Sequence, residues 1–249
     1  MNQKIVLIIQ ARMGSTRLPG KSMLDLAGEP LVGRVLERVL RCKEIDKIVL
    51  AIPESIENDP LAELAEHYGV YLYRGSENDL VDRYYQAAKL FNANIVGRLP
   101  ADNPIPEPSE IDRIAAYHRD SNHAFSSNLS EVFNNGYPDG IGAEMIDFSA
   151  LELIWKECRE AKKREHLHLN FFDYYRQKSI DKRFSVGTIK CPKKFCRPEL
   201  ILDVNTQQQY VFIRKIYEYL YAANPDFHIT DVINWYDGIY LKEIINRGK

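Results

Sequence analysis

No Cys-x-x-Cys pair occurs in this chain, and no long apolar run, excess charge or repeat either. The four cysteines are Cys42, Cys158, Cys191 and Cys196; only the last two are close, and no histidine stands at zinc-finger spacing from them. That excludes a disulfide framework or a zinc module and leaves reduced thiols in a cytoplasmic protein. No apolar stretch is long enough to cross a bilayer. The early run Ile5-Val6-Leu7-Ile8-Ile9 is short and enters a charged loop, unlike a secretory leader. A formal net charge of −2 offers no global field toward nucleic acid or membrane, so cations must act locally. No linker or low-complexity tract divides the 249 residues, which read as a single domain over 1–249 with a smaller lobe at about 128–189. An apolar fraction of 45% permits a substantial core.

What is present concentrates near the start. The Ile5 to Ile9 run predicts a fully buried strand. Gln10-Ala11-Arg12-Met13-Gly14-Ser15-Thr16-Arg17-Leu18-Pro19-Gly20-Lys21 follows as a long loop before a helix opening near Pro30. Loops of this length in compact domains are functional or disordered. This one carries Arg12, Arg17 and Lys21, hydroxyls on Ser15 and Thr16, and Gly14 and Gly20 where backbone can come close to a ligand. Cations and open backbone N–H groups beside a strand end suit a polyphosphate. The alternative is a solvated basic loop. It is not a Walker loop, because Gly14 to Gly20 is one residue too long.

Further along, strands are expected at 47–52, 70–73 and 94–99, and helices at about 31–40, from Asn58-Asp59-Pro60 to Gly69, at 80–91 capped by Asp79, and from Pro108 or Ser109 to His118. Four strand–helix alternations predict an α/β fold with a mostly parallel sheet and helices on both faces. Ligands then sit beyond the carboxyl ends of the strands. The first loop, Arg74-Gly75-Ser76-Glu77 and Pro100-Ala101-Asp102-Asn103-Pro104 all fall at such ends. Beyond Gly140 the pattern predicts strands at 142–146, 183–189 and 200–204. It also predicts helices at 149–162, 166–175, from Thr206 to about Tyr221, and within 230–245.

Ala11 to Lys21, read as Ala-Arg-x-Gly-Ser-x-Arg-Leu-Pro-x-Lys, resembles the signature of the cytidylyltransferases that make CMP-activated sugar acids. These include the CMP-Kdo and CMP-acylneuraminate synthetases, and the resemblance is nearest to their SpsF-like branch. It implies a Rossmann-like nucleotide-diphospho-sugar transferase fold with a small dimerisation lobe, and a homodimer. Arg12, Arg17, Lys21 and Asp102 are then expected to carry the chemistry. Gln10, Ala11, Arg12, Gly14, Ser15, Lys21, Arg74 and Arg98 are expected to hold the nucleotide. Asp102 resembles the family's metal-holding Asp in Arg-x-x-Gly-Asp-x-Pro, although Ala101 replaces the glycine.

Tyr137-Pro138-Asp139-Gly140 through Glu144, and Arg164-Glu165-His166, resemble two further motifs of the branch. They imply an acceptor site of Tyr137, Asp139, Glu144, Arg164 and His166. His166 as a buried, hydrogen-bonded residue is the alternative. Leu202-Asp203-Val204-Asn205-Thr206 resembles the family's Val-Asp-Thr stretch, but its metal-binding Asp falls on Asn205. The expected metal set is Asp102, Asp203 and Asn205, for Mg²⁺. Asp79, Asp82 and Arg83 read as a helix cap and a solvated or ion-paired face.

The implied reaction joins CTP and a sugar acid, of the 3-deoxy-ulosonic or nonulosonic type, into a CMP-linked product with release of pyrophosphate. It would serve surface polysaccharide biosynthesis in the cytoplasm, with no nucleic-acid or membrane partner. The alternatives are a nucleotidyltransferase acting on a phosphorylated small acid, a sugar transferase of the same fold, or a nucleotide-binding protein without turnover. The sugar transferases carry an Asp-x-Asp motif that Asp102-Asn103-Pro104 and Asp203-Val204-Asn205 do not match.

Overall fold

The computed structural model describes residues 3–129 and 132–242. Strand β1 (Ile5–Gln10) leads through the long loop into a small pair, β2 (Asp25–Leu26) and β3 (Glu29–Pro30), and then α1 (Leu31–Val39). There follow β4 (Lys47–Pro53), α2 (Asp59–His67), β5 (Tyr71–Gly75), α3 (Leu80–Leu90), β6 (Ile95–Pro100) and α4 (Pro108–Arg119). The second half holds β7 (Phe125–Ser127), β8 (Glu144–Asp147), α5 (Phe148–Glu157), α6 (Ala161–Glu165), β9 (Phe172–Asp173) and β10 (Lys178–Ser179). It closes with β11 (Val186–Gly187), α7 (Gln207–Leu220) and α8 (Ile229–Trp235).

The main sheet runs β11-β7-β8-β6-β1-β4-β5. β6, β1, β4 and β5 are parallel, as the alternation of elements requires. β8 is antiparallel to both β6 and β7. β1 is central and apolar from Ile5 to Ile9 because both its faces are covered. Ile5, Leu7 and Ile9 join a core with α1, α2, α4, α7 and α8, while Val6 and Ile8 join one with α3 and α5. Strand β6 packs close to β1 at Gly97, where a Cβ would come within 2.8 Å of Leu7 Cδ1 and 3.2 Å of its Cα.

Several expected elements differ. The helix expected at 166–175 is a single 3₁₀ turn, Leu167–Asn170, followed by the β9–β10 hairpin. Phe171 and Phe172 are both fully buried, Phe171 at the end of that turn and Phe172 in β9. The helix expected at 149–162 breaks after Glu157 into α5 and α6. The 200–204 strand reduces to a bridge between Asp139 and Ile201, and the 183–189 strand to Val186–Gly187. Thr206 does cap α7, its hydroxyl accepting from Gln209 N while Gln209 reaches back, a reciprocal capping box. Within 230–245, α8 passes into a π-helical turn at Tyr236–Tyr240; residues 243–245 of that expected span lie outside the described residues.

Candidate active site

The parallel strands end at one edge of the sheet. Ala11 N donates to Ala51 O, and Ala101 N donates to Gln10 O, so the loops after β1 and β6 leave side by side. The first loop is ordered. Met13 N donates to Asn58 Oδ1 at 2.9 Å, Ser22 Oγ to Arg12 O at 2.8 Å, and Leu18 is buried beneath it. Asn58, at the start of α2, makes no side-chain cap there; its amide oxygen anchors this loop. Gly20 takes φ +67°, the left-handed turn that starts the Lys21–Met23 3₁₀ helix and aims Lys21 inward.

Lys21 Nζ then joins three distant segments. It donates to Asp102 Oδ2 at 2.7 Å, Val204 O at 3.0 Å and Asn205 Oδ1 at 3.3 Å. Arg17 Nη2 donates to the same Asn205 Oδ1 at 2.6 Å. Val204 N donates to Asp102 O, which fixes the loop after β6 against the approach to α7. Arg12 is exposed at the rim. These groups line a cavity of about 370 Å³ with Gln10, Ala11, Ser15, Arg98, His166 and others.

The structure thus brings together Gln10, Ala11, Arg12, Ser15, Arg17, Lys21, Arg98, Asp102, His166 and Asn205. Asp203 lies just behind, sharing hydrogen bonds with Asn205 Nδ2 and Gln209 Nε2. Burial and the neighbouring Asp102 raise its carboxyl pKa. Asp139 is pushed up to about 6 by burial, Asp203 and Asp102. His166 is exposed at the cavity, not a buried, hydrogen-bonded residue; His168, half-buried, has its Nδ1 buried without a partner among the described residues. His168 lines the wall beside Arg98, and burial together with the Arg98 charge lowers its pKa to about 2.

Other expected residues lie elsewhere, none of them lining the cavity. Arg74 donates to Asp59 at 2.5 Å. Arg164 clamps Asp79 through Nε and Nη2 at 2.7 and 2.6 Å and donates to the Trp155 and Cys158 carbonyls. Tyr137 is buried against Glu110 and Arg113. Glu144 sits behind Arg98, accepting from its Nη1 at 2.7 Å, and Gly14 backs onto Glu77. These are long-range packing partners, and a sequence motif carries no sign of which way such side chains turn.

Arg83 was expected on a solvated or ion-paired face. It is only 4% exposed, lines the cavity, and its side chain makes no hydrogen bond or ion pair with any described residue. A signal existed: Arg83 stands at Leu80+3 and Ala87−4, on the apolar face of α3.

A sheet whose strand ends converge on paired cations, a rigid carboxylate and a carbonyl oxygen is a nucleotidyltransferase site. A profile of the cytidylyltransferase family matches residues 6–227, and the chain belongs to that family. It is 29% identical to the spore coat polysaccharide biosynthesis protein SpsF of Bacillus subtilis over 92% of each chain. A 3-deoxy-manno-octulosonate cytidylyltransferase of Geobacter sulfurreducens is 33% identical over 45% of this chain and 44% of its own. The solved structure of a cytidylyltransferase from Leptospira borgpetersenii superposes with a TM-score of 0.82 at 29% identity, covering 94% of each chain.

Proposed function

We propose that this protein transfers CMP from CTP to a sugar acid of the 3-deoxy-ulosonic or nonulosonic type, releasing pyrophosphate, in the making of surface polysaccharide. The observation that carries the reading is the joint of Lys21, Asp102 and Asn205 beside Arg12 and Arg17. The three cations bind the triphosphate and stabilise the departing pyrophosphate. The loop geometry holds them in advance, so the transfer is accelerated by positioning and electrostatics. The acceptor oxygen attacks the α-phosphorus from the side of His166, His168 and Arg98.

Mg²⁺ belongs to the same proposal. The donors present are hard oxygens: Asp102, the Asn205 carbonyl and, behind them, Asp203. The raised carboxyls of Asp203 and Asp139 mark an excess of negative charge that a cation relieves. Among the described residues no cluster of three or more His, Cys, Asp or Glu forms a cage, which suits an ion held by one or two carboxylates and substrate phosphates. Bound there, such an ion neutralises charge on the phosphate oxygens. We propose a homodimer too; Tyr175 at the β9–β10 turn is 97% exposed and suits an interface.

A pyrophosphate-release screen tests the reading, with four nucleoside triphosphates against a panel of sugar acids and phosphorylated small acids. Release with CTP and a sugar acid is expected. Release only with phosphorylated acids replaces the acceptor class, and CTP binding without release under any acceptor removes the transferase reading.

A further inference from the structure

Cys191 and Cys196 do not line the cavity, yet the fold brings their side chains to one spot. A Cβ built on Gly136 would lie 3.0 Å from Cys196 Sγ and 3.8 Å from Cys191 Cβ. Gly136 takes φ +81°, and its missing side chain leaves the room that the pair occupies. The turn joining the two cysteines is pinned. Cys191 N donates to Asn135 O at 2.9 Å, Phe195 N to Pro192 O at 2.8 Å, and Cys196 N to Lys193 O at 3.4 Å. Between the two cysteines, Phe195 is buried in the main core. A disulfide needs Cβ atoms about 3.5–4.5 Å apart. Two side chains that crowd one position on a pinned turn are placed to meet that need.

The two sulfurs differ in character. Cys196 is exposed, and the Arg197 guanidinium lies within electrostatic reach of its sulfur. An accessible thiol beside a cation is where an oxidant attacks first. Cys191 is half-buried. Burial, and after it the charge of Cys196, pushes its thiol up to about 12. Once Cys196 is oxidised to a neutral sulfenic acid, that repulsion is gone and Cys191 ionises more readily. Cys42 and Cys158 sit elsewhere, their sulfurs facing the Pro108 and Glu160 carbonyls.

We propose that Cys191 and Cys196 are a redox pair that closes an intrachain disulfide when the protein meets hydrogen peroxide. The Cys196 thiolate attacks one peroxide oxygen and the O–O bond breaks, leaving a sulfenic acid and a water. The Cys191 thiolate then attacks the Cys196 sulfur and the S–O bond breaks. The departing hydroxide takes up the proton that Cys191 gave up and leaves as a second water. Two thiols are oxidised to one disulfide, and one peroxide is reduced to two waters. A dithiol reverses the step by exchange, as befits a chain whose thiols are otherwise reduced. The proposal stands independently of what the cavity binds.

The test is peptide mass mapping of the folded full chain after hydrogen peroxide and alkylation of the remaining thiols. A Cys191–Cys196 link is expected, with Cys42 and Cys158 alkylated and the link reopened by dithiothreitol. In Cys191→Ser, Cys196 is expected to stop at the sulfenic acid and be captured by dimedone. In Cys196→Ser, Cys191 is expected to remain a thiol open to alkylation. Equilibration with a glutathione series separates the fold's contribution from nearness in sequence. Closure is expected to be favoured about tenfold or more in the native chain over the same chain in urea, a potential lower by about 30 mV or more. Links through Cys42 or Cys158 instead would overturn the proposal. So would a glutathione adduct on Cys196 that Cys191 never displaces, or equal closure in urea. Sulfenic acid on Cys191 in Cys196→Ser would overturn the order of the two steps.

Discussion

Lys21 is the residue on which the site closes, because a single ammonium meets a carboxylate from one segment and a backbone carbonyl and a side-chain carbonyl from another. Its neighbour Arg17 shares one of those acceptors. Negative charge moves along the triphosphate during transfer, so losing either cation should act on turnover more than on acceptor binding. Lys21→Ala and Arg17→Ala are expected to lower kcat by roughly one to two decades, the loss of a charge-assisted contact of about 1.5–3 kcal/mol. Steady-state kinetics of both variants within a factor of two of the parent would remove the cradle. His168 makes a prediction of another kind. Its folded pKa lies near 2 while the unfolded histidine titrates near 6.5, the wall of Arg98 and apolar burial keeping it neutral. Below about pH 6.5 the unfolded chain takes a proton that the folded chain refuses, so stability falls as pH drops. Between pH 7 and pH 5 this single group should contribute a loss of about 2 kcal/mol. Urea denaturation of wild type and His168→Gln at the two pH values checks it, and an equal loss in both proteins would refute it. His168 was not legible as a site residue in the sequence, and Arg83 only through its place on the apolar face of α3, since burial without a partner is a property of the folded wall and not of the motif. The cradle cations were legible, because a loop that must bind polyphosphate has to display its charges in one short stretch.

At the scale of elements, the sequence showed most where one strand or helix satisfies its own pattern. β1 is apolar from Ile5 to Ile9 because it is covered on both faces, and Thr206 announces α7 by a local capping box. β8 was readable as a strand but not as an antiparallel one, since direction is set by its partners β6 and β7. The 166–175 segment, rich in aromatics, reads as helix because its hairpin pairing with Lys178 and Ser179 is not carried by its own pattern. Element context also recasts Arg164. It ties α6 to the first turn of α3 through Asp79 and holds two carbonyls after α5. Arg164→Ala is therefore expected to cost about 2 kcal/mol of stability, a charge-assisted cluster lost from a mostly buried position, with CTP affinity unchanged within about twofold. The urea midpoint and a CTP titration measure the two halves. A stable variant with weakened acceptor use would restore Arg164 to the acceptor site.

At the scale of the molecule, a chain of net charge −2 confines its useful cations to one loop at one edge of one sheet and brings their partners there from residues far apart in sequence. The carboxylate comes from the end of β6 and the carbonyl from the approach to α7. Asn205 is where these meet. Its carbonyl holds Arg17 and Lys21, and its amide donates to Asp203, whose other oxygen is held by Gln209. As it stands, Asn205 screens Asp203 from the site and contributes a neutral ligand. Asn205→Asp would put a second carboxylate beside Asp102, remove the donor to Asp203, and leave an excess of negative charge that a divalent cation relieves. The expected outcome is a lower Mg²⁺ concentration for half-maximal pyrophosphate release. Asp203→Ala withdraws a charge that lies behind Asn205 and frees the Asn205 amide to turn. The expected outcome is a higher Mg²⁺ midpoint with the fold intact by circular dichroism. Titrations of both variants against wild type decide between this electrostatic account and a purely structural one, in which Asp203 only orders Asn205 and Gln209 ahead of α7. If neither midpoint moves, the approach to α7 is scaffolding, and Asp102 with the substrate phosphates is the whole of the protein's claim on the metal.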